Sequence, residues 1–267
     1  MDFDPTVARR ILHNRSLRAG HGWSEVYNLR GAFASISDTP IPGLNCLLDF
    51  SARDHDIEAL LDIGFALLRA FDRAPLVELT PLDRPKSLPK RLAARGLTRS
   101  SQGSWMCHRV NPQGIRINPD VEVRIAEPDD ARAFAQVLGG STAWLRKIAL
   151  QTTLNAMLEP APRPGNRWPV PGNTFYLGCV NGAPVSTLHL LVDGRTAGIY
   201  AIGTLRAHRR QGISSTLMAR AIADARAAGC DVIGLSTVAG GDAERLYTKQ
   251  GFTRVFTSEM WALPERR

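Results

Sequence analysis

The chain has 267 residues, 44% apolar and 22% charged, the composition of a folded globular protein with room for two ordinary domains or one large one. No apolar run approaches the roughly 18 residues that a membrane-spanning helix needs, and "MDFDPTVARR" lacks the apolar segment of a secretory leader, so a cytoplasmic protein with no membrane partner is expected. The net charge of +8 is evenly spread, with 16 basic and 12 acidic residues in 1–117 and 17 and 13 in 118–267; this argues against a basic nucleic-acid-binding tail.

In chain order, "GAFASIS" (31–37) and "NCLLDF" (45–50) read as strands. "HDIEALLDIGFALLRAF" (55–71) reads as a helix with apolar residues at 57, 60, 61, 65, 68 and 71. "APLVELT" (74–80) is a strand and "SLPKRLAARG" (87–96) a short helix. "NPQGIRINPD" (111–120) is rich in Pro, Asn and Gly and marks a boundary. Beyond it, "VEVRIA" (121–126) alternates as a half-buried strand does, and "EPDDARAFAQVLGG" (127–140) carries acidic residues in its first turn, as a helix start should. "EPAPRPGNRWPVPGN" (159–173) holds five prolines and reads as a loop. "TFYLGCV" and "APVSTLHLLV" flank Asn181-Gly182, the signature of a hairpin. "AGIYAIGTL" is a strand. The helix that follows puts Ile213, Leu217, Met218, Ala221, Ile222 and Ala225 on one face. "DVIGLSTV", "DAERLYTKQ" and "FTRVFTSEMWAL" complete the chain as strand, helix and strand.

The two halves end alike. "RLAARGLTRSSQGSWM" (91–106) and "RLYTKQGFTRVFTSEMW" (245–261) share Arg-Leu, then a glycine, a large apolar residue and Thr-Arg, and both run on into a strand containing Trp and Met. This implies an internal repeat of one α/β unit, with halves 1–117 and 118–267. Four scattered cysteines with no CxxC pair point to reduced thiols, with neither a metal site nor a disulfide framework.

One stretch carries chemistry. "RAHRRQGISSTLMARAIADARAAG" (206–229) sets arginines, a glycine and two serines before an amphipathic helix. Free N–H groups and the positive end of a helix dipole form an anion site there. Gly212 lets a phosphate approach, Ser214 and Ser215 offer caps or hydroxyl donors, and Arg209 and Arg210 add charge. The glycine spacing excludes both a Walker A loop and a dinucleotide-binding fingerprint.

Arg209-Arg210-Gln211-Gly212-Ile213-Ser214 resembles the Gln/Arg-x-x-Gly-x-Gly/Ala signature of the GCN5-related N-acetyltransferase (GNAT) family, with serine in place of the last small residue. Leu246-Tyr247…Gly251-Phe252 resembles that family's later motif. The likeness spans about 120–262. It departs from the family at Gly240, where relatives often carry asparagine. The resemblance implies an α/β fold with a mixed, mostly antiparallel sheet flanked by helices, here as two tandem units. It implies acetyl-CoA as cosubstrate, no metal, and an amine as acceptor. Residues 210–215 would hold the CoA pyrophosphate, the cofactor set being Ile202, Gly203, Thr204, Arg209, Arg210, Gln211, Gly212, Ile213, Ser214 and Ser215. The main chain of Ile202, Gly203 and Thr204 would run beside the pantetheine and polarise the thioester carbonyl, and Tyr247 would protonate the departing thiolate. Relatives often carry a glutamate base on the strand before the loop. "AGIYAIGTL" has none, which leaves His189, Glu259, Asp193 or a water relay. The Pro-rich loop with Arg167 and Trp168 falls where relatives contact substrate.

The first half lacks the phosphate signature: its nearest stretch, "SARDHDIEALL", is acidic, and Ala93 stands where the repeat puts Tyr247. The reading is thus an N-acetyltransferase domain at 118–267 beside a degenerate copy at 1–117, binding one CoA per chain. The alternative is an acyl-CoA-binding or sensing protein without turnover. Acceptor identity and oligomeric state, a homodimer included, stay open.

Overall fold

A computed structural model describes residues 3–18, 23–39, 41–109, 115–141 and 172–264. The strands are β1 (Glu25–Asn28), β2 (Phe33–Ile36), β3 (Cys46–Leu48), β4 (Leu76–Leu79), β5 (Thr98–His108), β6 (Glu122–Ile125), β7 (Asn173–Val180), β8 (Ala183–Asp193), β9 (Thr196–Thr204), β10 (Val232–Val238) and β11 (Phe252–Ala262). The helices are α1 (Pro5–Arg18), α2 (Ile57–Ala70), α3 (Leu88–Ala94), α4 (Ala131–Ser141), α5 (Ile213–Ala227) and α6 (Asp242–Lys249). Helix α1 and strand β1 escaped the sequence reading. The apolar positions of α1 are few, and only its packing shows Val7, Ala8, Ile11 and Leu12 on one buried stripe.

The eleven strands among the described residues form one sheet in the order β1-β2-β3-β4-β11-β5-β10-β9-β8-β7-β6. Each half builds antiparallel strands that lead into one parallel pair, β3 with β4 and β9 with β10. The next position is exchanged. Strand β11, from the end of the chain, pairs with β4, and β5, from the first half, pairs with β10. The two exchanged strands pair with each other along their length. Their register obeys the repeat: Thr98 faces Ala262 as its repeat equivalent Thr253 faces Cys107, and Arg99 faces Trp261 as Arg254 faces Met106. A pseudo-two-fold axis therefore passes between β5 and β11.

Two large cores result. One lies between α5 and strands β6–β10, the other between α2, α3 and strands β2–β4. A smaller cluster joins α1 to β5, β10 and β11. Helix α1 crosses from the first half onto the strands of the second, resting on Gly198 and Gly234, which are partners across the β9/β10 pair. A side chain at Gly234 would stand 2.9 Å from Ile11, and one at Gly198 would collide with Asn14. Two glycines side by side make the sheet flat enough for the helix to lie on it. Arg10 fastens the same helix by donating to Thr196 Oγ1 at 3.0 Å, to the Arg195 carbonyl at 2.6 Å and to Asp231 at 2.5 Å. The four cysteines are buried free thiols.

Candidate active site

The parallel pairing of β9 and β10 covers only Thr196–Gly198 against Val232–Gly234. Beyond it β9 runs to Thr204 along β8 and β10 runs to Val238 along β5, so a gap opens between them. Just past the divergence, β9 carries a bulge. Thr187 faces Gly203 and His189 faces Tyr200, so Ala201 and Ile202 both oppose Leu188, and Ala201 takes φ 47°. A bulge releases backbone groups from the ladder and re-aims them. On the β8 side, carbonyls are already served: Thr187 Oγ1 donates to Ala201 O at 2.9 Å and Ser186 Oγ to Gly203 O at 2.8 Å.

After Thr204 the chain makes a 3₁₀ turn, Arg206–His208, and enters the loop before α5. Arg210 (φ 63°) and Gly212 (φ 79°) are both left-handed. For a non-glycine residue this costs of order 1 kcal/mol, a strain that persists where the surroundings require the shape. The alternation turns successive N–H groups to one side, the arrangement that makes an anion-binding concavity. Gly212 is the N-cap of α5 and no side chain caps the helix, so Ser214 and Ser215 do not take the capping role offered by the sequence. Ser215 Oγ instead accepts from Gln250 Nε2 at 2.9 Å. The N–H groups of Ile213, Ser214 and Ser215 thus begin a helix with no intrahelical partner.

This loop borders a cleft of about 470 Å³. It gathers Ile202, Gly203, Thr204, Arg209, Arg210, Gly212, Ile213, Ser214 and Ser215 from the expected set, and adds His208, Asp242, Ala243 and Leu246. Gln211 stands apart from that lining. Its Nε2 donates to Ala207 O at 3.2 Å, and its carbonyl accepts from Asn118 Nδ2 at 2.7 Å, which anchors the loop from behind. Arg209 lines the cleft but also clamps it, donating through Nε to Thr204 O at 3.3 Å and through its terminal nitrogen to Ser141 O. Arg210 makes no side-chain hydrogen bond or ion pair among the described residues and is the cation left for a ligand. The residues fit an acyl-CoA. Donors and a spare guanidinium stand at one end, with Gly212, at φ 79°, among the residues that line the same space.

Across the cleft, Leu246 of α6 forms part of the wall while the adjacent Tyr247 turns inward. Tyr247 is only 7% exposed, its ring 6.1 Å from that of Phe252, and burial pushes its hydroxyl up to about 12. Helix α6 is held by the buried Glu244. That carboxylate accepts from Ser104 Oγ of β5 at 2.6 Å, from the Gly240 N–H at 2.6 Å and from Arg254 Nε of β11 at 2.8 Å. Both exchanged strands therefore hold the helix that walls the cleft. Burial works against ionising Glu244, but these donors outweigh it and keep its pKa below the ordinary value.

The base candidates lie away from the cleft lining. His189 is buried between aromatic rings, stacked on Phe175 at 4.4 Å and on Trp23 at 6.0 Å, with Nε2 2.6 Å from Asn173 Oδ1. Glu259 accepts from Arg99 at 3.0 Å and from the Trp261 indole at 3.1 Å. Asp193 pairs with Thr196 at the opposite end of β9 and stands 3.6 Å from His13. Most of the Pro-rich loop, including Arg167 and Trp168, lies outside the described residues.

In the first half, the corresponding ground between α2 and α3 is filled. Arg91 bonds Glu58 at 2.7 Å and Asp54 at 2.6 Å, and Arg95 bonds Glu58 at 2.6 Å and Asp62 at 2.5 Å. Cations that could meet a phosphate are occupied, and the carboxylates beside them repel one.

Residues 146–252 match the family model for the acetyltransferase (GNAT) family. That stretch is a GNAT acetyltransferase domain. GNAT domains are acyltransferases that draw on acyl-CoA, and the match covers the loop, α5 and α6 described above. Solved GNAT structures share the fold over most of the chain. A GCN5-related N-acetyltransferase from Kribbella flavida superposes with TM-score 0.67 at 19% identity, covering 91% of this chain and 90% of that one. One from Sphaerobacter thermophilus gives 0.61 at 14%, covering 86% and 76%. A tandem GNAT protein from the clavulanic acid biosynthesis pathway gives 0.61 at 12%, covering 89% and 80%. Because these matches extend through the first half, that half shares the same fold. The curated proteins hold no significant sequence match to the chain. No helix among the described residues is long and apolar enough to cross a membrane.

Proposed function

We propose that the protein transfers an acetyl group from acetyl-CoA to a primary amine by direct attack within a ternary complex. The observation that carries this reading is the cleft at the head of α5. There an uncapped helix start, two left-handed loop residues and the uncommitted Arg210 face the same space as the bulged end of β9. Pyrophosphate at the loop would direct the pantetheine along Thr204, Gly203 and Ile202 toward the bulge. Main-chain N–H at the bulge would hydrogen-bond the thioester carbonyl and stabilise the charge that develops on it. The neutral amine's lone pair would attack the carbonyl carbon, forming a C–N bond as the C–S bond breaks. The nitrogen would release its surplus proton to water, and the thiolate would take one from the Tyr247 hydroxyl, which solvent then reprotonates.

In this reading 118–267 is the catalytic unit and 1–117 a degenerate copy, its phosphate ground closed by the Arg91 and Arg95 ion pairs. One acetyl-CoA should bind per chain. Calorimetry with acetyl-CoA tests the stoichiometry, and release of free CoA thiol in the presence of a panel of amines tests the activity. Saturation at two per chain would overturn the degenerate-copy reading. Tight binding without thiol release for any amine would favour a sensing role over turnover.

A further inference from the structure

Besides the cleft, the molecule holds a cavity of about 320 Å³ where the two halves meet. Tyr200 and Ala201 of β9 and Ser236 of β10 border it, so it lies at the divergence of the parallel pair. Ala201 lines this cavity and the next residue, Ile202, lines the cleft. The bulge thus sets one residue in each space, and on the acyl-transfer reading a thioester drawn to it would lie beside the cavity.

Two cations from α1 border the cavity, and they differ. Arg15 is matched: it pairs with Asp49 at 2.8 Å and with Glu78. Arg18 is not. Its guanidinium lies over the rings of Trp23, at 4.3 Å, and Tyr200, at 4.8 Å. No carboxylate pairs with it among the described residues, and its Nε, like that of Arg15, is buried without a hydrogen-bond partner. Burial pulls its pKa down to about 10, so it is still a cation at neutral pH. Aromatic faces hold the guanidinium in place while leaving its edge of N–H donors free. A half-buried charge without a hydrogen-bonding counterion is costly, and a ligand carboxylate would relieve that cost with two parallel bonds. The remaining walls are mainly apolar, with Trp105, Leu44, Leu48 and Met260 among them; three serines and the Glu78 carboxylate that Arg15 already neutralises complete the lining.

We propose that this cavity is the acceptor pocket and that Arg18 selects acceptors bearing a carboxylate: small amino-carboxylates with an apolar body, the amine directed at the bulge and the carboxylate held by Arg18. For the fate of the amine this rests on the acyl-transfer reading above; for binding it does not. The volume suits a single small molecule and not a protein segment.

Two matched sets serve as probes: L-phenylalanine, L-phenylalaninamide and 2-phenylethylamine; and 6-aminohexanoate with 6-aminohexanamide. Binding to the full chain in the presence of CoA is followed by calorimetry, and turnover with acetyl-CoA by thiol release. At least one carboxylate should bind roughly 10–100-fold tighter than its amide, the range for loss of a charged hydrogen bond. Arg18→Gln should abolish that preference with acetyl-CoA affinity unchanged, and Arg18→Lys should restore part of it. Equal binding of carboxylate and amide in both sets, or a preference that survives in a folded Arg18→Gln variant, would overturn the proposal. Arg18-dependent carboxylate binding without thiol release would uphold the pocket and count against acyl transfer. Arg18-independent turnover of amide and carboxylate alike would do the reverse.

Discussion

Gly212 and Tyr247 carry the site's sharpest tests at the scale of single residues. Gly212 sits at φ 79°, where asparagine and aspartate are the best tolerated replacements, so Gly212→Asn and Gly212→Asp impose similar backbone cost and differ in charge. Gly212→Asp should lose acetyl-CoA affinity by about tenfold or more beyond Gly212→Asn, measured by calorimetry on variants of matched melting temperature. Equal losses would mean that the loop meets no phosphate. Tyr247→Phe keeps the ring against Phe252 and removes the hydroxyl. Under single-turnover conditions the acetyl-transfer rate should fall toward the lower end of the ~10²–10⁴-fold typical of a lost general acid, since a thiolate leaves readily. Acetyl-CoA affinity and melting temperature should barely move. A wild-type single-turnover rate would reduce Tyr247 to the packing role that its burial already gives it.

Among the elements, α5 matters most because its start is the cradle and its flank is the core. Gly178 on β7 lets the helix close on the sheet; a side chain there would collide with Leu217. Gly178→Val should therefore overpack the interface, at about 1–3 kcal/mol. For a chain of this size that corresponds to a melting temperature lower by roughly 2–12 °C, read by thermal denaturation. An unchanged melting temperature would mean that α5 is not seated as described. The helix was legible in the sequence because its apolar stripe has a clean 3.6-residue period. Helix α1 was not, although its Arg18 borders the cavity. Its stripe is short, its polar residues Asn14, Arg15 and Arg18 are drawn inward, and its seat on Gly198 and Gly234 exists only once β9 and β10 lie side by side.

For the whole molecule, the exchange of β5 and β11 makes the halves interdependent. A chain cut after residue 117 leaves 118–267 without β5, so β10 has an open edge and β11 has lost its partner on both sides. Exposed edges of this kind invite aggregation. Each fragment expressed alone should be poorly soluble, and co-expression of 1–117 with 118–267 should recover a complex that binds one acetyl-CoA. A soluble, cooperatively melting 118–267 fragment with full acetyl-CoA affinity would show that the exchange is dispensable. The tie runs to the site itself, because Glu244 holds α6 through Ser104 of β5 and Arg254 of β11.

By itself the sequence determined the features set by local pattern. These are the strand and helix periods, the Asn181-Gly182 hairpin, the glycine at the head of α5 and the likeness between residues 91–106 and 245–261. Each depends on neighbours a few residues away, where propensity and periodicity act. Tertiary structure alone decided that the two like segments trade places in the sheet, since strand pairing joins residues far apart and leaves no periodic trace in either partner. It also decided that Arg15 is neutralised while Arg18, three residues on, is not. Both are arginines on one helix, and the difference lies in which side chains, Glu78 and Asp49 for one and Trp23 and the distant Tyr200 for the other, the fold brings against them.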